Sequence, residues 1–410
     1  MRNHVSGPTQ FIPALNGLRA IAALMVFACH ASENGLMPKV FEQARAGELG
    51  VMLFFCLSGL LMAELYVRQD ATLASVWNFV RARFARIFPL FAAVVVGSAL
   101  IYHFDTSFPF KLDAVAATKH LLLFGDGVTM WTISVEFQFY AAFVGLWLLY
   151  AALPKKHRNI GLALVCIGLV LALWMAGYPG ERIAITHYGQ FFLVGVLAAI
   201  ILWHAPATPG IGQAASFVLP LLLAFDVLAA LILAPSDYNC YRSLPLLILA
   251  GTIVLAGAVG KGFFAERVLG SQLMVYLGDV SFGVYLLHRP VWYFWQNLIG
   301  IDLHSTAMFL IAMATLLAIS HLAYRWIEQP ARRALSPSGA AVRRWSGWRG
   351  AYSTARRHPP SSIPFRPASR PRAIGQSSRE GFPYDSDFLD APRGSRMGPA
   401  MQGSSTRTAR

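Results

Sequence analysis

The sequence predicts an all-α protein: a polytopic integral membrane protein with about ten transmembrane helices, followed by a disordered basic tail. Three observations carry that expectation. Of 410 residues, 56% are hydrophobic and only 13% charged, with a mean hydropathy of +0.51, which suits lipid rather than water as the main solvent. The apolar residues come in runs of roughly twenty, the length a helix needs to cross a hydrocarbon core of about 30 Å. Charge, proline or glycine separates neighbouring runs, placed at about 12–31, 48–67, 87–104, 129–151, 160–177, 184–203, 213–234, 243–260, 272–298 and 305–327.

The first run holds NGLRAIAALMVFACH, with Arg19 near its start and His30 near its end. An ionisable side chain inside a span is costly and therefore a functional candidate. Eleven steps of about 100° return His30 to nearly the face of Arg19, about 16 Å further along the axis. Either residue alone has a plain explanation: Arg19 reaching to headgroups, His30 bonding a backbone carbonyl. Two on one face point to function.

The second run, GELGVMLFFCLSGLLMAELYV, is interrupted by Ser58-Gly59, small residues that let helices approach closely. FVRARFARIFPLF follows, with Arg81, Arg83 and Arg86 expected in a loop at the inner surface and Pro89 at the start of the third span. Those arginines fix topology, or hold phosphate through bidentate guanidinium contacts. The stretch His120–Gly125 is too short to cross.

The fourth run opens WTISVEFQFYAA. Trp131 and Tyr140 suit a membrane interface, while Glu136, close to Ser134 and Gln138, requires a partner at that depth, and Arg19 is a candidate. The runs from 160 to 260 read as scaffold, with His187 and Gln190 as minor polar exceptions. The ninth, VSFGVYLLHRPVW, carries Asp279, Tyr285 and His288; the tenth ends YRWIEQPARR, where Arg325 and Glu328 stand three apart and suit a local ion pair.

With the N-terminus cytoplasmic, the inner loops collect Arg68, Arg81, Arg83, Arg86, Lys155, Lys156, Arg158, Lys261 and Arg267, with Arg332 and Arg333 after the last span. The positive-inside rule favours that orientation, with both ends cytoplasmic. Residues 1–335 form the expected membrane domain. Residues 336–410 hold 13 arginines, four carboxylates and few aliphatics, and are expected to be a disordered tail, read as an extension without function or the product of a frameshifted or misplaced stop ahead of a contact with anionic lipid, and not as a nucleic-acid site. Cys29, Cys56, Cys166 and Cys240 make no metal or CxxC spacing, so neither a disulfide framework nor a metal site is indicated, and the first run does not read as a cleavable signal peptide.

Six segments in order carry a family resemblance: LNGLRAIAALMVFACH, GVMLFFCLSGLLM, FVRARFARIFPLF, WTISVEFQFY, VSFGVYLLHRPV and YRWIEQPARR. Together they resemble the acyltransferase-3 family of integral-membrane O-acyltransferases that modify extracytoplasmic glycans, over about residues 8–333. The resemblance implies a ten-helix fold in the cell (inner or plasma) membrane that moves an acyl group, usually acetyl, from cytoplasmic acyl-CoA to a hydroxyl of a saccharide or lipid-linked glycan. By position, His30 matches the family's catalytic histidine and Arg19 its paired arginine. Arg83 and Arg86 match its inner-face Arg-x-x-Arg element, and Glu136 and Glu328 its acidic positions. Phe137 stands where the family's fourth-span motif usually has a second acid, so any role of that carboxylate is lost or relocated. The hydrolase-like domain that some members carry after the tenth span is not evident.

The chemistry agrees with that reading. His30 can act as general base toward a sugar hydroxyl, or carry the acyl group covalently. Arg19 can hold the donor's pantetheine or phosphate region or stabilise the oxyanion; Arg83 and Arg86 can grip the nucleotide phosphates. Ser134, Trp131, Tyr285, His288 and Glu328 are further candidates around the site. No His-x-x-x-x-Asp, no Gly-x-Ser-x-Gly elbow and no Walker phosphate loop occurs. Buried Arg, His and Glu also suit a proton-coupled secondary transporter, the alternative, but no internal repeat supports it.

Overall fold

The computed structural model describes residues 11–127, 129–204, 209–233 and 240–335; the expected tail at 336–410 lies outside them. Among the described residues every regular element is helical. The helices are α1 (Pro13–Glu33), α2 (Val40–Gln43), α3 (Ala46–Met62), α4 (Leu73–Phe104), α5 (Ala114–Leu121), α6 (Trp131–Ala152), α7 (Arg158–Met175), α8 (Gly189–His204), α9 (Pro209–Leu233), α10 (Leu244–Val259), α11 (Gln272–Tyr293), α12 (Thr306–Ala323) and α13 (Gln329–Leu335). Short π-helical turns extend α3 over Ala63–Val67 and α11 over Phe294–Leu298, and join α12 to α13 over Tyr324–Glu328.

The polytopic all-α architecture agrees with the sequence. Each of the ten expected spans coincides with a helix, yet among the described residues seven helices are long and apolar enough to cross a membrane, or eight if α10 and the π-helical turn Phe263–Leu269 after it, bent by 86°, count as one span. The count of ten is therefore not established. The helix α8 has only 16 residues, and α11 carries Asp279, His288 and Arg289 inside an otherwise apolar run.

One boundary needs correction. The arginine-rich segment expected as an inner loop is helical, and α4 runs unbroken through Pro89 for 32 residues. The Thr72 hydroxyl starts it by accepting from the Ser75 N–H at 3.1 Å. At 1.5 Å per residue it measures about 48 Å, well beyond a core of about 30 Å. It is therefore longer than a single crossing needs, and Arg83 and Arg86 lie about 15 and 20 Å along it from its N-terminal end.

At the centre, α1 packs against α3 and α11, and α3 against α8. The helices α7, α9 and α12 lie outside and turn large apolar side chains such as Leu164, Phe217 and Leu310 outward, as a lipid-facing surface requires. Glycine sets the closest crossings. A Cβ on Gly278 of α11 would collide with the Asn16 carbonyl oxygen of α1, and one on Gly59 of α3 with the Phe192 carbonyl oxygen of α8. The Asn16 amide also donates to Asp279 at 3.1 Å, so α1 and α11, running in the same direction, are pinned at the level below Arg19.

Candidate functional site

A cavity of about 70 Å3 lies between α1, α3, α4, α6 and α11, room for about five water molecules or the end of a slender chain. Arg19, Arg83, Arg86, Glu136 and Tyr285, all singled out from sequence, line it. Three cations and one carboxylate thus share a space inside an apolar bundle, an arrangement suited to an anionic ligand.

Arg83 and Arg86, three apart on α4, share one helix face. The buried Arg83 guanidinium reaches the Tyr66 hydroxyl at 3.5 Å and lies 5.7 Å from its ring centre, while its Nε has no partner among the described residues. A buried N–H without an acceptor is costly, so this side of the cavity is prepared to receive a lone pair. Opposite, Glu136 of α6 accepts from Tyr140, one turn on, at 2.5 Å and from Ser58 of α3 at 3.2 Å. The suggested ion pair between Glu136 and Arg19 does not form among the described residues; the two meet only as neighbours in the cavity wall. Tyr285 donates to the Thr129 carbonyl at 2.6 Å and shares a hydrogen bond with Thr132 at 2.9 Å, tying α11 to the start of α6.

His30 lies outside the cavity wall, eleven residues further along α1 than Arg19, and is only partly buried. Its Nδ1 stands 2.8 Å from Nε2 of His288, which is fully buried on α11, and the two rings stack with centroids 5.0 Å apart. Phe27 and Trp292 pack edge-on around His288. Arg289 and Glu33 bridge the same two helices with an ion pair of 2.9 Å.

The remaining candidates serve the frame. Ser134 donates to the Gly125 carbonyl at 3.2 Å and anchors the loop before α6. Trp131 lies among Phe55 and Tyr188 with the Arg182 guanidinium 5.9 Å from its ring centre. Glu328 is buried and pairs with Arg332 at 2.7 Å, one turn later, whereas Arg325, the partner expected from sequence, is exposed. His187 and Gln190 bond backbone carbonyls, as scaffold residues do. Sequence reasoning missed three polar residues of the cavity wall, Ser58, Thr132 and Ser281, and missed Tyr66, which contacts Arg83. Ser58 interrupts an apolar run and so carried a signal, but small-residue packing accounted for it; Tyr66, Thr132 and Ser281 carried none.

Comparison with known proteins matches residues 12–325 to an acyltransferase domain, that of the acyltransferase-3 family. Among similar proteins, the peptidoglycan O-acetyltransferase OatA of Listeria monocytogenes is 24% identical over 79% of this chain, which spans 56% of that relative's length. The acyltransferase MdmB of Streptomyces mycarofaciens is 27% identical over 76% of this chain and 87% of its own. No solved structure matches. The match covers α1 through α12 and includes every residue of the cavity and of the histidine pair, and on it the chain belongs to the acyltransferase-3 family.

Proposed function

We propose that the protein is a membrane O-acyltransferase that takes an acyl group, acetyl by preference, from cytoplasmic acyl-CoA and transfers it to a hydroxyl of an extracytoplasmic saccharide or lipid-linked glycan. The observation that carries this reading is the row of functional groups through the bundle. Arg83, Arg86, Arg19 and Glu136 share one cavity, and His30 lies about 16 Å beyond Arg19 on the same helix. The peptidoglycan in the name of the Listeria relative supports a hydroxyl-bearing glycan as acceptor.

Arg83 and Arg86 bind the donor phosphates, the Arg83 Nε supplying a donor that no group among the described residues uses. The cavity is far too small for a nucleotide, so the arginines hold the phosphates at its inner mouth and only a narrow chain threads inward. Arg19 stabilises charge that develops along that path. Glu136 offsets the three cations and is kept in place by Tyr140 and Ser58. His30 takes the proton of the acceptor hydroxyl as its oxygen attacks the thioester carbonyl. The carbon–sulfur bond breaks, the CoA thiolate leaves, and it receives that proton from His30.

Joint replacement of Arg83 and Arg86 by alanine tests the donor site. Acetyl-CoA affinity, measured by calorimetry on purified protein, is expected to fall by about tenfold or more, since charge-assisted phosphate contacts are the strong ones. Unchanged affinity would remove both arginines from the site.

A further inference from the structure

His30 and His288, 258 residues apart in sequence, meet where α1 and α11 run side by side. His30 Nδ1 lies 2.8 Å from His288 Nε2, and His288 Nδ1 lies 3.1 Å from the Val284 carbonyl oxygen of its own helix. Those contacts determine where the protons sit. A carbonyl oxygen only accepts, so His288 carries its proton on Nδ1. Neutral His288 then has its lone pair on Nε2, and His30 must donate to it from Nδ1. Neutral His30, protonated on Nδ1, is left with its lone pair on Nε2. The reverse assignment turns a His288 lone pair toward the Val284 oxygen; protonating both rings sets two N–H groups and two cations against each other.

We infer that His288 is a positioning residue for the acyl transfer, fixing His30 as the Nδ1–H tautomer so that Nε2 of His30 is the basic atom offered to the acceptor hydroxyl. The inference rests on the function proposed above. Burial agrees with it: His288 is fully enclosed by Phe27 and Trp292, whereas His30 is only partly buried. The inner ring thus orients and the outer ring reacts, the division of labour in which a buried partner selects a histidine's tautomer. The charged groups beside the pair, Arg289 and Glu33, are engaged with each other at 2.9 Å.

The arrangement survives turnover. When Nε2 accepts the hydroxyl proton, the resulting imidazolium still donates its Nδ1–H to His288, so neither ring moves. The ester carbon–oxygen bond forms, the thioester carbon–sulfur bond breaks, and the Nε2 proton passes to the CoA thiolate. His30 returns to its starting tautomer.

Solid-state NMR of the full-length protein in liposomes, labelled with 15N-histidine, reads the tautomer directly, with His30→Gln assigning the His30 signals. The expected result is a protonated Nδ1 and a bare Nε2; a His30 protonated on Nε2 would overturn the inference. Kinetics on the same preparations give a second arm, following CoA release with water as acceptor. His288→Leu is expected to lower kcat about 10- to 100-fold with KM for acetyl-CoA unchanged, the usual cost of losing an orienting partner. His288→Gln, whose amide oxygen can accept from His30 Nδ1–H, is expected to recover most of it. Wild-type kcat in a folded His288→Leu protein would also overturn the inference, while loss of turnover in His30→Gln would leave the acyltransferase reading standing. A folded wild-type protein that releases no CoA would sink that reading instead, and the 15N signals alone would then decide the tautomer.

Discussion

Glu136 shows how one side chain in an apolar run can be recognised from sequence while its company cannot. A carboxylate at that depth demands donors, and Arg19 is the obvious cation to propose. The protein uses two hydroxyls instead, Tyr140 at 2.5 Å and Ser58 at 3.2 Å. The first comes from the same helix; the second depends on how α3 meets α6, which periodicity does not reveal. Hydrogen bonds to charged groups contribute about 1.5–3 kcal/mol each. Tyr140→Phe is accordingly expected to lower the unfolding free energy of the purified protein by about that amount, checked by denaturant titration in detergent; no change would mean that Glu136 does not depend on Tyr140. Glu328 teaches the same lesson over a shorter distance. Arg325 and Arg332 both lie within a turn of it in sequence, and only the second turns inward to pair with it. His288 was legible as a polar group in a span, but its partner was not, since the pairing is set by the register of two helices 258 residues apart.

That register belongs to the elements. The helices α1 and α11 touch most closely at Asn16 and Gly278, where backbone meets backbone and Asn16 hydrogen-bonds Asp279. Further along the same seam His30 faces His288 and Glu33 faces Arg289. Gly278→Leu would force the helices apart and is expected to destabilise the fold by about 1–3 kcal/mol, as overpacking does. It should also lower acetyl-CoA turnover by moving the histidines out of hydrogen-bonding distance. Thermal unfolding and CoA release on the same sample check both, and wild-type behaviour in each would show that the seam does not set the pair. Element boundaries were less legible than element existence. Proline near an arginine-rich stretch reads as a helix start, but α4 passes through Pro89 without a break, because flanking turns and neighbouring helices hold it on both sides. The expected third span therefore began fourteen residues too late.

For the whole molecule, hydropathy was a sufficient guide to class and order of helices, since lipid forces every spanning segment to satisfy its own backbone. It was a weaker guide to number. A 16-residue helix and a helix carrying buried His and Asp are apolar by context more than by composition. Five residues of the cavity wall were legible, but not that they share one space. The cavity exists because five helices contribute one to three polar residues each to a common wall, two of these residues, Ser58 and Tyr140, having read as packing and interface. On the function proposed above, the α4 arginines, the cavity and the histidine pair mark the path an acyl group would take from one side of the bilayer to the other. The most direct test is transfer or hydrolysis of radiolabelled acetyl-CoA by purified protein in liposomes, for wild type and His30→Ala. The account predicts turnover in the wild type that is lost with His30→Ala while acetyl-CoA still binds. Correctly folded wild-type protein that neither binds acetyl-CoA nor releases CoA from it would contradict the account and direct attention to other acyl donors, and after them to proton-coupled transport.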